Sequence, residues 1–149
     1  MILHVTDQPD AADQAAILDG LVGFNEAATG LRGRDRLDLA VLLRDTERRT
    51  IGGALGHSRH GWVRIELLFL PAALRGQGWG RRLMQAVEAE ARARHCLGVR
   101  LETASFQARG FYEKLGYSVI GTLPDDPPGH TLFWLAKRLE SKALEQGTT

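Results

Sequence analysis

Residues 62–80, WVRIELLFLPAALRGQGWG, constrain the fold more than any other stretch of the chain. Residues 62–70 carry its strongest strand signal. Trp62, Arg64 and Glu66 alternate onto one face, and Val63, Ile65 and Leu67 onto the other. From Leu67 to Leu70 both faces are apolar. That predicts either burial between layers or a bulge that changes the facing. Pro71 ends the strand, and Gly76, Gly78 and Gly80 alternate with Gln77 and Trp79 behind Arg75. An amphipathic helix is expected from residue 78 to about 95. Leu83, Val87 and Ala91 share one face, while Arg81, Gln85, Glu88 and Arg92 share the other. Glu88 with Arg92, and Glu90 with Arg94, are favourable pairs one helical turn apart.

A strand that turns through glycines into a helix is a place for an anion. The first N–H groups of a helix lack intrahelical partners and carry partial positive charge. Glycines ahead of them bare the backbone and make a nest of donors suited to phosphate. Arg75, Arg81 and Arg82 add cationic charge. A Walker loop needs Gly-Lys-Ser/Thr, but Gly80 is followed by Arg81-Arg82. A dinucleotide fingerprint needs G-x-G-x-x-G, but the spacing here is G-x-G-x-G without the expected acidic residue about 20 positions on. A turn that binds no ligand is the alternative at this stage.

The rest of the chain reads as one soluble domain over residues 1–140, with a frayed tail at 141–149. Strands are expected at 2–5, 39–43, 51–57, 99–103, 117–123 and 131–137. Asp10 caps a helix to about residue 26, with Ala11, Ala15, Leu18 and Val22 as its apolar face. A short helix at 107–115 is stopped by Gly116. The order β-α-β-β-β-α-β-α-β-β gives an α/β (α+β) fold, a mixed central sheet of about six or seven strands flanked by helices. Lys plus Arg number 19 against 18 Asp plus Glu, so no nucleic acid or membrane partner is expected. Cys96 is the single cysteine, so neither a disulfide framework nor a metal site is expected, and a reducing compartment fits. The N-terminus lacks a signal-peptide pattern, and no apolar run suffices to cross a membrane. A cytoplasmic location is the expectation.

The run LFLPAALRGQGWGRRLMQAVEAEA resembles motif A of the GNAT superfamily of N-acetyltransferases, Arg/Gln-x-x-Gly-x-Gly/Ala, met by Arg75, Gly78 and Gly80. ASFQARGFYEKLGY resembles that superfamily's next segment, with Phe111-Tyr112-Glu113-Lys114-Leu115-Gly116-Tyr117 matching Phe-Tyr-x-Lys-x-Gly-Phe/Tyr. The resemblance is clear over residues 51–139 and fainter before them. It implies the GNAT fold, with acetyl-CoA as co-substrate in a V-shaped split between the strand ending at Leu70 and the strand at 99–103. The pyrophosphate is then expected on the amides of Gln77, Gly78, Trp79, Gly80 and Arg81, beside Arg75 and Gly76. The pantetheine arm is expected along Leu68, Phe69 and Leu70, with an N–H near Leu68 polarising the acetyl carbonyl.

By the same resemblance Tyr112 protonates the departing CoA thiolate, work that suits a phenol. The family often has an asparagine seven residues earlier. Ser105 stands there and offers one hydroxyl contact to the cofactor instead. The implied reaction is acetyl transfer to a primary amine of a small molecule or peptide, by direct attack in a ternary complex. The alternative is a non-catalytic acyl-CoA sensor or scaffold. An amine arrives protonated, with a pKa near ~10.4, and must lose a proton. Glu66 acting through water, His130 in the loop before the last strand, or water alone are the candidate bases. Glu66 as a salt-bridge partner is the competing reading. His57 and His60 carry less signal. Cys96 reads as a packed or semi-exposed small residue, because a helix C-terminus raises a thiol pKa. The resemblance also raises a homodimer through the later strands.

Overall fold

The structure is a computed structural model that describes residues 1–31, 33 and 35–140. The tail expected to fray lies outside the described residues. The chain divides into two compact units, Met1–Asp35 and Arg36–Thr149.

In the first unit, helix α1 spans Ala11–Thr29 and Asp10 caps it, its side chain accepting the Asp13 N–H at 2.7 Å. The helix passes the expected end at residue 26. Gly30 (φ 69°) reverses the chain there and gives its N–H to the Glu26 carbonyl at 2.9 Å, the usual left-handed helix stop. Of the expected apolar face only Val22 is buried. The expected strand at residues 2–5 does not form. Among the described residues no strand pairs with this segment, and Ile2, Leu3 and Val5 stay exposed.

In the second unit six strands form one sheet, β1 (Leu37–Arg44), β2 (Thr50–Arg59), β3 (Trp62–Phe69), β4 (Gly98–Ala104), β5 (Ser118–Pro124) and β6 (Thr131–Arg138), in the order β1-β2-β3-β4-β6-β5. Helix α2 is Trp79–Ala93, and α3 is Arg109–Lys114. Only β3 and β4 pair in parallel. A parallel pair needs a long crossover, and α2 supplies it. Val63, Ile65, Val99, Leu101 and Leu135 from the sheet meet Met84, Val87 and Ala91 of α2, with Tyr112 and Tyr117 in the same core.

The expected polar face of α2 holds except at Glu88, which is buried. Lys137 Nζ lies 2.9 Å from both its oxygens, the Tyr117 hydroxyl donates to it at 3.2 Å, and Arg92 stands 3.8 Å away. Burial, then the Glu88 carboxylate, push the Tyr117 phenol far above its ordinary value. Glu88 is neighbour to Met84, Val87 and Ala91 on the helix surface, so it lies at the border of the apolar stripe, where a lysine from β6 decides its fate. Glu88→Ala removes these bonds and leaves Lys137 without its counter-charge. A loss of about 2 kcal/mol is expected, read as a Tm lower by about 4–8 °C.

β3 contains the bulge that the apolar run suggested. Leu55 pairs with Leu67 and Gly56 with Ile65, which leaves Glu66 as the extra residue. Val63 and Ile65 face the core before it and Leu68 packs against the core after it, while Leu67 and Phe69 are 64% and 59% exposed. Gly56 makes room for the kink, because a Cβ there would stand 2.0 Å from the Arg64 carbonyl oxygen.

Candidate active site

The bulge sits where β3 leaves β4. The pairing of these strands runs from Trp62↔Gly98 to Ile65↔Leu101 and ends, although β3 continues to Phe69 and β4 to Ala104. β3 therefore has unpaired backbone on its β4 side over Glu66, Leu67, Leu68 and Phe69. After Pro71 a single 3-10 turn, Ala72–Leu74, leads into the glycine stretch. Arg75 Nε donates to the Leu70 carbonyl at 3.1 Å, and Gln77 Nε2 to the Ala73 carbonyl at 2.6 Å. These two side chains pin the loop.

Gly76 and Gly78 adopt φ of 74° and 82°, and Gly78 is the N-cap of α2. Side-chain-bearing residues avoid this left-handed region. Nothing lies within 4 Å of a Cβ built at either position. The two glycines are thus required by backbone conformation, and the space beside them is open. The first turn of α2 presents its N–H groups there, the earliest closed bond being Arg82 N–H to the Gly78 carbonyl at 3.1 Å. The Arg82 guanidinium lies over the Trp79 ring at 4.9 Å, while Arg75 and Arg81 are exposed. Together these groups form an open, electropositive backbone cradle with the chemistry that suits a phosphate.

Gly80 is needed for another reason. A Cβ on it would meet the tip of the Phe111 ring at 3.0 Å. Phe111 precedes Tyr112 on α3, so the third glycine docks α3 against the start of α2. Tyr112 is 6% exposed, with its ring edge-on to Phe111 (5.1 Å) and to Tyr117 (6.0 Å). Its hydroxyl makes no hydrogen bond among the described residues. Burial pushes the phenol pKa up, so it stays protonated and able to donate through neutral and mildly alkaline pH.

Ser105 and His130, predicted separately, meet at the C-terminal end of β4. Ser105 Oγ lies 3.3 Å from His130 Nδ1 and accepts the Thr131 N–H at 3.2 Å, and the Ser105 N–H bonds the Thr131 carbonyl at 2.8 Å. Phe106 packs edge-on to the His130 ring at 4.8 Å. The Ser105 hydroxyl thus ties the loop before β6 to β4. His130 is exposed on that rim, held by its own N–H to the Pro127 carbonyl at 2.9 Å.

Glu66, the bulged residue, sits in a charged group that no motif pointed to. His57 Nδ1 lies 3.1 Å from its Oε1, and Arg36 Nη2 lies 3.9 Å from its Oε2. The Glu66 side chain is 40% exposed, whereas that of His57 is 9% exposed. The close His57 nitrogen is out of line for a hydrogen bond, and among the described residues it has no other partner. Burial first, then Arg36, hold the His57 imidazole below its ordinary value, against the pull of Glu66. Glu66 thus stands within ion-pair distance of both His57 and Arg36, as the salt-bridge reading expected. The signal for His57 was present in TIGGALGHSR, where a lone histidine interrupts a strand of small and apolar residues.

Residues 16–117 match the acetyltransferase (GNAT) family. Acetyltransferase Atu2258 of Agrobacterium fabrum is 38% identical over 134 residues, covering 90% of this chain and 96% of that protein. Blasticidin-S acetyltransferase of Streptomyces morookaense is 44% identical over 89 residues, 59% of this chain and 65% of that protein. Among solved structures, an aminoglycoside 6'-N-acetyltransferase complexed with coenzyme A shares the fold at a TM-score of 0.58 and 19% identity, covering 93% of this chain and 97% of that one.

Proposed function

We propose, from the premise that the chain belongs to the GNAT family of acetyltransferases, that it carries the acetyl group of acetyl-CoA to a primary amine by direct attack in a ternary complex. The observation that carries this reading is the glycine N-cap of α2 at Gly78, following along the chain the end of β3 that leaves β4 unpaired. The amides of Gln77 to Arg81, with Arg75 and Gly76, hold the pyrophosphate. Unpaired backbone at Leu68, Phe69 and Leu70 holds the pantetheine arm, so these side chains need only be apolar. An N–H near Leu68 polarises the acetyl carbonyl. Ser105 lends its hydroxyl to the cofactor side of the same rim. The acceptor is a small-molecule or peptide amine. The likeness to blasticidin-S acetyltransferase favours the small molecule.

In the reaction Tyr112 gives its proton to the departing thiolate, and Glu66 takes one from the incoming ammonium. His130, on the rim and tethered to Ser105, helps position the acceptor. Glu66→Gln is expected to lower kcat about a hundredfold at neutral pH. The defect should shrink as pH approaches ~10.4, where the amine is already free. Steady-state rates from pH 6.5 to 10 test this. A defect of constant size across that range would remove Glu66 from the role of base.

A further inference from the structure

We propose that Glu66 does not act alone: His57 stands behind it and receives the proton that Glu66 takes from the substrate ammonium. The inference rests on Glu66 as the base. Two observations carry it. The first is geometric: His57 Nδ1 is 3.1 Å from Glu66 Oε1, and the bulge in β3 creates that approach by turning Glu66 out of the regular ladder. The second is an orphan. Among the described residues Nδ1 is a buried ring nitrogen with no aligned hydrogen-bond partner. A buried polar atom without a partner is costly and rare, and it calls for an explanation.

The charges around the imidazole keep it ready. Arg36, Arg64, Glu66 and Asp38 are the groups that act on it. Arg36 is bonded to Asp38 at 3.1 Å, and Arg64 to Glu102 at 2.8 Å. Burial and the two guanidinium groups outweigh the two carboxylates, so the imidazole binds a proton less readily than an ordinary one.

The proton balance is simple. One N–H bond of the ammonium breaks, and its electron pair stays on nitrogen as the nucleophile. The proton binds a Glu66 oxygen, crosses from Oε1 to Nδ1 of His57, and restores the carboxylate. This uses the tautomer whose hydrogen is on Nε2. The 3.1 Å separation lets Glu66 and His57 share that proton. After turnover the buried imidazolium returns it through the half-exposed Glu66 to solvent. His57 touches no substrate and acts through Glu66.

Two measurements test this. In wild type, kcat is expected to fall on the acid side as the pair gains a proton. His57→Asn is expected to lower kcat about tenfold at neutral pH, to leave the KM for acetyl-CoA unchanged, and to move the acid limb about one pH unit lower. A merely structural histidine would lower stability without moving that limb, and an unmoved limb overturns the relay. The second measurement needs no change at position 57. The His57 imidazole, followed by NMR, should titrate at lower pH in Glu66→Gln than in wild type, and equal titration in the two also overturns it. If Glu66→Gln keeps wild-type turnover, the base assignment itself fails. If Glu66→Gln loses turnover while His57→Asn keeps the acid limb, only the relay fails.

Discussion

Tyr112→Phe is expected to lower kcat by about a hundredfold to a thousandfold while the affinity for acetyl-CoA stays within about twofold. Removing a general acid typically costs this much. The structure makes the variant unusually clean. The ring is packed between Phe111 and Tyr117, and a phenylalanine keeps those edge contacts. The hydroxyl makes no hydrogen bond among the described residues, so its loss breaks nothing that holds α3 in place. The direction of the pKa shift adds a second readout. Burial raises the phenol pKa, so the protonated form persists past neutrality and Tyr112 contributes no falling limb to the pH profile below its ordinary value near ~10. The stability linked to keeping it protonated is present below that value and is lost as pH rises through the raised pKa. Pre-steady-state thiol release checks the chemical step, and calorimetry checks the affinity. An unchanged rate would remove Tyr112 from the chemistry.

The second large effect belongs to Gly78→Val. At φ 82° a β-branched residue is strained by about 1–2 kcal/mol. To relieve this the backbone must rotate, and the rotation turns the first N–H groups of α2 away from the cradle. No atom lies within 4 Å of the new Cβ, so the substitution strains the loop without clashing with the core. Acetyl-CoA affinity should fall at least a hundredfold, with the far-UV circular dichroism unchanged. Gly80→Val is a poorer test of the same idea. Its side chain would strike Phe111, displacing α3 and Tyr112 together, so binding and chemistry would fail at once. Retained affinity in Gly78→Val would place the phosphate site elsewhere.

What the sequence made legible was local. Residues 62–80 announced a strand, a stop at Pro71, a glycine turn and a helix, and each is where the pattern put it. The apolar run after Glu66 fitted no single face and left burial between layers and a bulge both open; the structure has the bulge. What the sequence left open depended on partners from distant strands. Glu88 looked like one more charge on a polar helix face until Lys137 and Tyr117 came to meet it. His57 carried little meaning until the bulge set it against Glu66. The strand expected at residues 2–5 had the right composition, but strand formation is a property of pairs, and composition cannot supply a neighbour. Gly80 matched a motif without showing why, and its contact with Phe111 joins the two motif segments physically.

The central claim is that the cradle at Gly78 and the phenol of Tyr112 serve one reaction, acetyl transfer from acetyl-CoA to an amine. The most direct measurement is free CoA thiol released from acetyl-CoA by the purified protein, with a panel of small-molecule and peptide amines. The predicted result is release that depends on the amine, matches the acetylated product one for one, and falls about a hundredfold or more in Tyr112→Phe. Tight acetyl-CoA binding with no amine-dependent thiol release across the panel would contradict the claim.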